Sequence, residues 1–228
     1  MIVALVREHA ETLRPPRTLW VPFPLGRPFG VPNNPAFQTK VLKAALDLFE
    51  VPEGPVLADF PEEAPEEVAD EAMESWVCPV SFPKPPVPED RTGLREAVLA
   101  EIGQLQPWYE VGRDRRGRTA VGLSGLAMND AARFLDGWLA GETRESPIKT
   151  VGSADALRLS AEDLKAFYME AATARPGVVG QKELSDWLWQ ETSLAEMLQS
   201  LRKTLLQEED PELFDVGEFM LVPETYHA

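Results

Sequence analysis

The residues able to do chemistry are few and scattered. Cys78 is the single cysteine of the chain and stands in "WVCPVSFP". Cys-x-x-Ser is the spacing of a redox motif whose resolving cysteine has been replaced. A thiolate there could enter a mixed disulfide but could not close an internal one. The plainer reading is a small hydrophobe beside Trp76 and Val77 that anchors its segment to a core. Glu8 and His9, in "REH", follow the apolar run "IVALV", which reads as a strand. The carboxyl end of such a strand is where open α/β sheets gather ligand-handling groups, although a histidine in a surface loop is the commoner outcome. His227 is the other histidine, far away in sequence. Without clustered cysteines the pair gives no metal-site spacing, and no metal is expected.

A third group sits in "WVPFPLGRPFGVPNNPAFQTKVL", residues 20–42. Gly26 and Gly30 permit backbone conformations closed to other residues, while five prolines stiffen the rest. A rigid loop between a strand end and a helix start could hold an anion or carboxylate on backbone N–H groups. Arg27, between Gly26 and Pro28, adds a guanidinium fork for a carboxylate. Elsewhere the patterns fall short. Glu183, Asp186 and Glu191 flank Trp187 and Trp189 without the Glu-x-x-His spacing of di-iron bundles, so the tryptophans read as core. Ser124 in "GLSGLA" lacks the Gly-x-Ser-x-Gly of a nucleophile elbow. There is no Walker A motif and no Gly-x-Gly-x-x-Gly. No cofactor is indicated, and whether the chain is an enzyme stays open at this point.

The elements that would position these groups read as follows. "IVALV", a charged loop, a second short strand in "TLWVPFPLG" and a helix from Pro35 to Glu50 make a compact unit. Asn34 caps that helix and Pro35 takes its first position. Phe37, Val41, Leu42, Ala45 and Phe49 recur at helical spacing and predict its buried face. From Gly54 to Ser75 the chain carries no Lys or Arg and is rich in Pro, Glu and Ala, the composition of a solvated linker. A proline-rich piece at 79–89 extends it. Beyond, Thr92 is placed to cap "GLREAVLAEIGQL", with Leu94, Val98, Ile102 and Leu105 at helical spacing. The Arg113–Arg118 cluster reads as a polar turn between two extended pieces, a hairpin. Further helices are expected from Asn129 or Asp130 to Gly141, after a Ser160–Asp163 capping box up to Pro176, over 181–207 with a restart at Ser193, and from Pro211 toward Phe219. The fold class is therefore an α/β N-terminal remnant at 1–52, an acidic Pro-rich linker at 53–89 and a mainly α-helical domain at 90–228. It is α+β overall and dominated by helix.

Composition narrows the partners. The 228 residues carry 38 Asp and Glu against 22 Lys and Arg, for a net charge of −16. Such a surface repels phosphate backbones, so nucleic acid is not an expected partner. No window approaches eighteen apolar residues, and "MIVALVREHAE" has no basic n-region, so neither a membrane span nor a signal peptide is expected. A lone cysteine gives no internal disulfide. The expected compartment is the cytoplasm.

The run "VPFPLGRPFGVPNNPAFQTKVLKAALDL", with "IVALVREHAE" before it, resembles the C-terminal end of the selenoprotein B family. These are the substrate-specific components of glycine, sarcosine, betaine and D-proline reductases, with their shorter relatives. The resemblance covers about residues 1–50 and depends mostly on "PFPLGRPFG", where Gly26, Arg27, Pro28 and Gly30 match. The family's catalytic selenocysteine or cysteine lies upstream of the matching segment and has no counterpart here, nor does a pyruvoyl-generating cysteine. No catalytic residue carries over. What the resemblance implies is a place in a thiol- or selenol-dependent reductase system, as a subunit or split half whose partner chain holds the redox centre. The alternative is a non-enzymatic accessory protein that binds a partner through its N-terminal unit. A third, weaker reading is a stand-alone thiol enzyme using Cys78. "IVALV" has the continuous apolar pattern of a strand flanked on both sides in a doubly wound sheet. It therefore predicts a homo-oligomer or a heteromeric partner covering what the N-terminal unit leaves open.

Overall fold

A computed structural model describes residues 1–65, 91–174 and 180–227. The chain divides into two compact units, Met1–Ala69 and Asp70–Ala228. The described residues form a helix-dominated α+β protein with one small parallel sheet. Cys78, the proline-rich stretch at 79–89 and the helix stop at Pro176 lie outside the described residues.

In the first unit, β1 (Ile2–Ala4), α1 (Arg7–Leu13), β2 (Arg17–Trp20), α2 (Pro35–Asp47) and β3 (Val56–Asp59) alternate strand and helix. The three strands are parallel in the order β1-β2-β3. Thr18 pairs with Ile2 on one side and with Leu57 on the other. Among the described residues β1 is an edge strand of this chain, and Ile2 is 48% exposed. One expectation changes: the third strand comes from residues 56–59, inside the stretch whose composition read as linker. "VLA" is a short apolar island among the acids, and pairing with β2 supplies the hydrogen bonds that a solvated linker would take from water.

Strand alternation sends Leu19 to the face covered by α2. There Leu19, Val21, Phe23, Phe37, Val41, Ala45, Leu48 and Phe60 make the core. Asn34 accepts a hydrogen bond from the Phe37 N–H (3.1 Å), with Pro35 at the first helical position, as the sequence requires. The buried stripe is Phe37, Val41, Ala45 and Leu48; Leu42 and Phe49 face solvent. A 3-10 turn over Leu48–Glu50 ends the helix and turns Leu48 inward in place of Phe49. Arg17 holds that end, donating from Nε to the Leu48 carbonyl (3.0 Å) and from Nη2 to the Val51 carbonyl (2.7 Å).

The second unit is helical: α3 (Arg91–Arg116), α4 (Met128–Leu139), α5 (Ser153–Ala172), α6 (Gln181–Glu191), α7 (Ser193–Leu205) and α8 (Pro211–Asp215). A π turn over Val216–Met220 and a 3-10 turn over Glu224–Tyr226 follow. The hairpin expected over 110–125 does not form. α3 runs through Pro107 to Arg116, because its buried stripe continues past Leu105 to Tyr109 and Gly112. Tyr109 packs on Phe167, ring centres 4.9 Å apart. Gly112 lies so close to α5's end that a Cβ there would sit 3.0 Å from the Ala174 Cβ. Those contacts outweigh the single hydrogen bond that Pro107 forgoes. Arg113, Arg115 and Arg116 then suit the negative end of the helix dipole.

The restart after residue 191 does occur. Thr192 accepts from the Ala195 N–H (3.2 Å) and α7 begins at Ser193. Pro211 opens α8 as expected, behind an Asp210 cap. Trp187 and Trp189 pack, partly buried, against the helical core.

Candidate functional site

The sequence-nominated groups of the first unit lie near the carboxyl ends of β1 and β2. Glu8 and His9 are exposed, and they stand on α1 instead of in a loop. "REHAETL" closes one helical stretch between the two strands, so the charged residues gain intrahelical bonds that a loop would lack. Their neighbour Arg7 is the engaged residue. Its guanidinium pairs with Asp59 at the end of β3 (3.2 Å), pairs with Glu11 and lies 6.0 Å over Trp20. Among the described residues, neither the Glu8 carboxylate nor the His9 ring has a hydrogen bond to Arg27.

The Gly26–Gly30 loop is rigid for a stated reason. Gly26 and Gly30 have φ of +87° and +79°, conformations that disfavour any side chain. A Cβ at Gly30 would meet the Phe37 ring at 2.6 Å. Phe37 belongs to a trio with Phe23 and Phe60, centroids 5.6 to 6.0 Å apart and mostly edge-to-face. The loop's amides are partly spent on its own turns. The Arg27 N–H donates to Pro24 O (3.1 Å) and the Gly30 N–H to Arg27 O (2.9 Å). Leu25, Gly26 and Phe29 of the loop are exposed, and Arg27 is half-buried.

Two carboxylates organise the helical unit: Asp163, expected from the sequence only as part of a helix cap, and Glu101, to which the sequence reading gave no role. Asp163 on α5 is fully buried and accepts four hydrogen bonds. Oδ1 takes the N–H groups of Gly122 (2.8 Å) and Leu123 (2.9 Å). Oδ2 takes the Ser124 N–H (2.9 Å) and its hydroxyl (2.5 Å). This corrects the expected capping box. Ser160 and Asp163 sit inside α5, and Asp163 anchors the loop after α3 while the buried Ser160 hydroxyl has no hydrogen-bond partner among the described residues. Glu101 on α3 accepts from the Ser193 N–H (2.7 Å), the Leu194 N–H (3.3 Å) and the Tyr168 hydroxyl (2.8 Å). It thereby caps α7 from a neighbouring helix. Burial pushes the Glu101 carboxyl up, partly offset by these donors, and pushes the Tyr168 hydroxyl well up with help from the adjacent carboxylate. A signal existed for Glu101. It falls seven residues after Leu94 and three after Val98, on the apolar stripe of its own helix.

A groove of about 550 Å³ lies between α6, α7 and the C-terminal turn. Trp189 and Tyr226 stack at 6.0 Å along it, and the Tyr226 hydroxyl donates to Asp186 (2.8 Å). The Asp186 carboxyl is held below its usual range by Lys182 and then by this hydroxyl. His227 lines the groove and its Nε2 lies 3.0 Å from Val222 O. Among the described residues no three His, Cys, Asp or Glu side chains come together as a metal site. Nor is any helix among them long and apolar enough to cross a membrane. Compared with known proteins, the chain matches no family model, no curated protein and no solved structure.

Proposed function

We propose that this chain is a subunit, or one half, of a selenoprotein B-like reductase system whose thiol or selenol redox centre is carried by a partner chain, working in the cytoplasm. The observation that carries the reading is the sheet of the first unit. Among the described residues it is entirely parallel, three strands wide, and has Ile2 half exposed on its β1 edge. Parallel sheets belong inside α/β layers, so strands or helices from another polypeptide stretch would complete this one. The resemblance of residues 1–50 supplies the class of that partner. In this role the Gly26–Gly30 loop, at the carboxyl end of β2, would face the joint site.

A second reading keeps the docking and drops the chemistry: an accessory protein that binds a partner through the same unit. It is favoured by Glu8 and His9, which are exposed and whose side chains have no hydrogen bond to Arg27 among the described residues, so these nominated groups do not form an acid–base pair. One experiment separates the two. The tagged full chain is isolated from its own host under thiol-preserving conditions, and co-purifying chains are identified by mass spectrometry. A stoichiometric partner bearing a reactive cysteine or selenocysteine, with dithiol-driven turnover only when both chains are present, is the expected result. A complex without dithiol turnover favours the accessory reading. A clean monomer at micromolar concentration, with the amides of residues 2–5 protected by its own chain, would sink both.

A further inference from the structure

From the end of the helical unit we infer a docking ridge, made of Phe214, Phe219 and Met220, for a basic amphipathic segment of a partner protein. Phe219 is 73% exposed, Phe214 41% and Met220 39%, in a stretch whose neighbours Leu213, Val216, Leu221 and Val222 are buried. Solvated aromatic clusters of this kind mark interaction surfaces more often than chance. Phe214 belongs to α8, and Phe219 and Met220 belong to the π turn over 216–220 that directly follows it.

The ridge is built rather than loose. Gly217 presses on α7 so closely that a Cβ would stand 2.9 Å from the Leu205 Cβ and 3.3 Å from the Arg202 carbonyl oxygen. Lys165, from α5, donates to the Met220 carbonyl (2.9 Å) and answers a π-turn acceptor. Arg202, from α7, pairs with Glu218 (3.2 Å). The turn is thus pinned from two helices, and the pinning leaves Phe219 outside. A rigid aromatic presented at low entropic cost is the usual form of a binding hot spot.

Charge decides the occupant. Residues 208–218 contain Glu208, Glu209, Asp210, Glu212, Asp215 and Glu218 and not one Lys or Arg. Glu208 pairs with Arg144 and Glu218 with Arg202. Among the described residues Glu209, Glu212 and Asp215 have no ion-pair partner, and Lys165 and Arg202 engage the Met220 carbonyl and Glu218, so the stretch that carries the ridge keeps a net acidic rim. That rim repels anionic lipid and nucleic acid. It also disfavours a second copy of a chain of net charge −16. It suits a helix with apolar residues at i, i+3 and i+4 flanked by Lys and Arg.

The test uses the full chain and three labelled 18-residue probes read by fluorescence anisotropy: a Leu/Lys amphipathic peptide, its Leu/Glu counterpart, and a Ser/Lys peptide with charge alone. Binding of the Leu/Lys probe is expected, with at least a tenfold loss for Phe219→Ser and a similar loss for the Glu212→Lys, Asp215→Lys pair. Glu183→Lys, the same kind of charge change on α6, should leave it unchanged. Phe214→Ser provides a second apolar variant, and both replaced rings are exposed, so unchanged circular dichroism is expected. The inference fails if the Leu/Lys probe does not bind, if Phe219→Ser binds it as tightly as the wild type, or if the Ser/Lys or Leu/Glu probe binds equally well. It also fails if the wild type self-associates and Phe219→Ser makes it monomeric, because a second copy would then be the occupant.

Discussion

Replacing Asp163 by Asn changes one atom and no volume, so it isolates the hydrogen bonding of the loop after α3. The carboxylate accepts three backbone N–H groups and one hydroxyl, all within 2.9 Å. An asparagine side chain has one accepting oxygen, and its NH2 must face donors whichever way it turns. With the oxygen toward Gly122 and Leu123, the Ser124 hydroxyl can rotate to accept, but the Ser124 N–H is left buried and unpaired. That group costs about 1–3 kcal/mol. The two surviving bonds lose the charge assistance that roughly doubles their strength. Asp163→Asn should therefore destabilise the helical unit by about 2–4 kcal/mol, and Asp163→Ala, which strips all four bonds, by about 4 kcal/mol or more. Ser124→Ala keeps the three amide bonds, loses the hydroxyl's bond to Asp163 and the one it accepts from the Leu126 N–H (3.2 Å), and should cost about 1–2 kcal/mol. Urea denaturation followed by the fluorescence of Trp138 and Trp187 reads the stability, and amide exchange at Gly122–Ser124 locates the change. If Asp163→Asn fell within about 0.5 kcal/mol of wild type with those amides still protected, the carboxylate would not be what orders the loop.

Two further outcomes follow from the same kind of reasoning. Glu101 has its carboxyl pushed above the ordinary 4.5, so the folded state holds a proton more readily than the unfolded chain. Its contribution is complete below that value and is lost as pH rises through the folded pKa. The stability gap between wild type and Glu101→Gln should narrow from about pH 4.5 upward, read by urea midpoints across a pH series; a gap that widens refutes the assignment. Arg17→Lys removes a fork that reaches two carbonyls at the end of α2, which one amine cannot span. It should lower the stability of the first unit by about 1–2 kcal/mol and speed amide exchange over residues 45–51, and unchanged exchange there would contradict the role given to Arg17.

The parts legible in the sequence were those fixed locally. The Asn34–Pro35 helix start, the restart near Ser193 and the Pro211 start depend on residues within four positions of each other, so residue type alone announces them. What depended on distant partners was not legible. "VLA" at 56–58 is too short and too embedded in acids to declare itself a strand until β2 is beside it. "EVGRDRR" looks like a turn until Phe167 and Ala174 bury the Tyr109–Gly112 side of the helix. Asp163 matches a capping spacing, and only the loop folding back from 122–124 reveals its use. Among the site candidates, the turn conformations of Gly26 and Gly30 were readable from residue type. The place of Glu8 and His9 on a helix was not, since it depends on α1 forming at all.

The strand order of the first unit also sets a timetable for its assembly. Thr18 lies sixteen positions after its partner Ile2, whereas Leu57 lies thirty-nine after Thr18. Closing the shorter loop costs less chain entropy, and both are non-local by the standard of a helical bundle. β1, α1 and β2 can meet first, as a ribbon whose middle strand keeps one side unpaired. On a ribosome emitting the chain from its N-terminus, that side stays open through the synthesis of α2 and the turn after it. The strand that closes it is the last of the unit to appear, and it arrives from among acidic residues. A stretch so charged resists premature sticking while it waits, which suits a segment that must add itself to an open edge late.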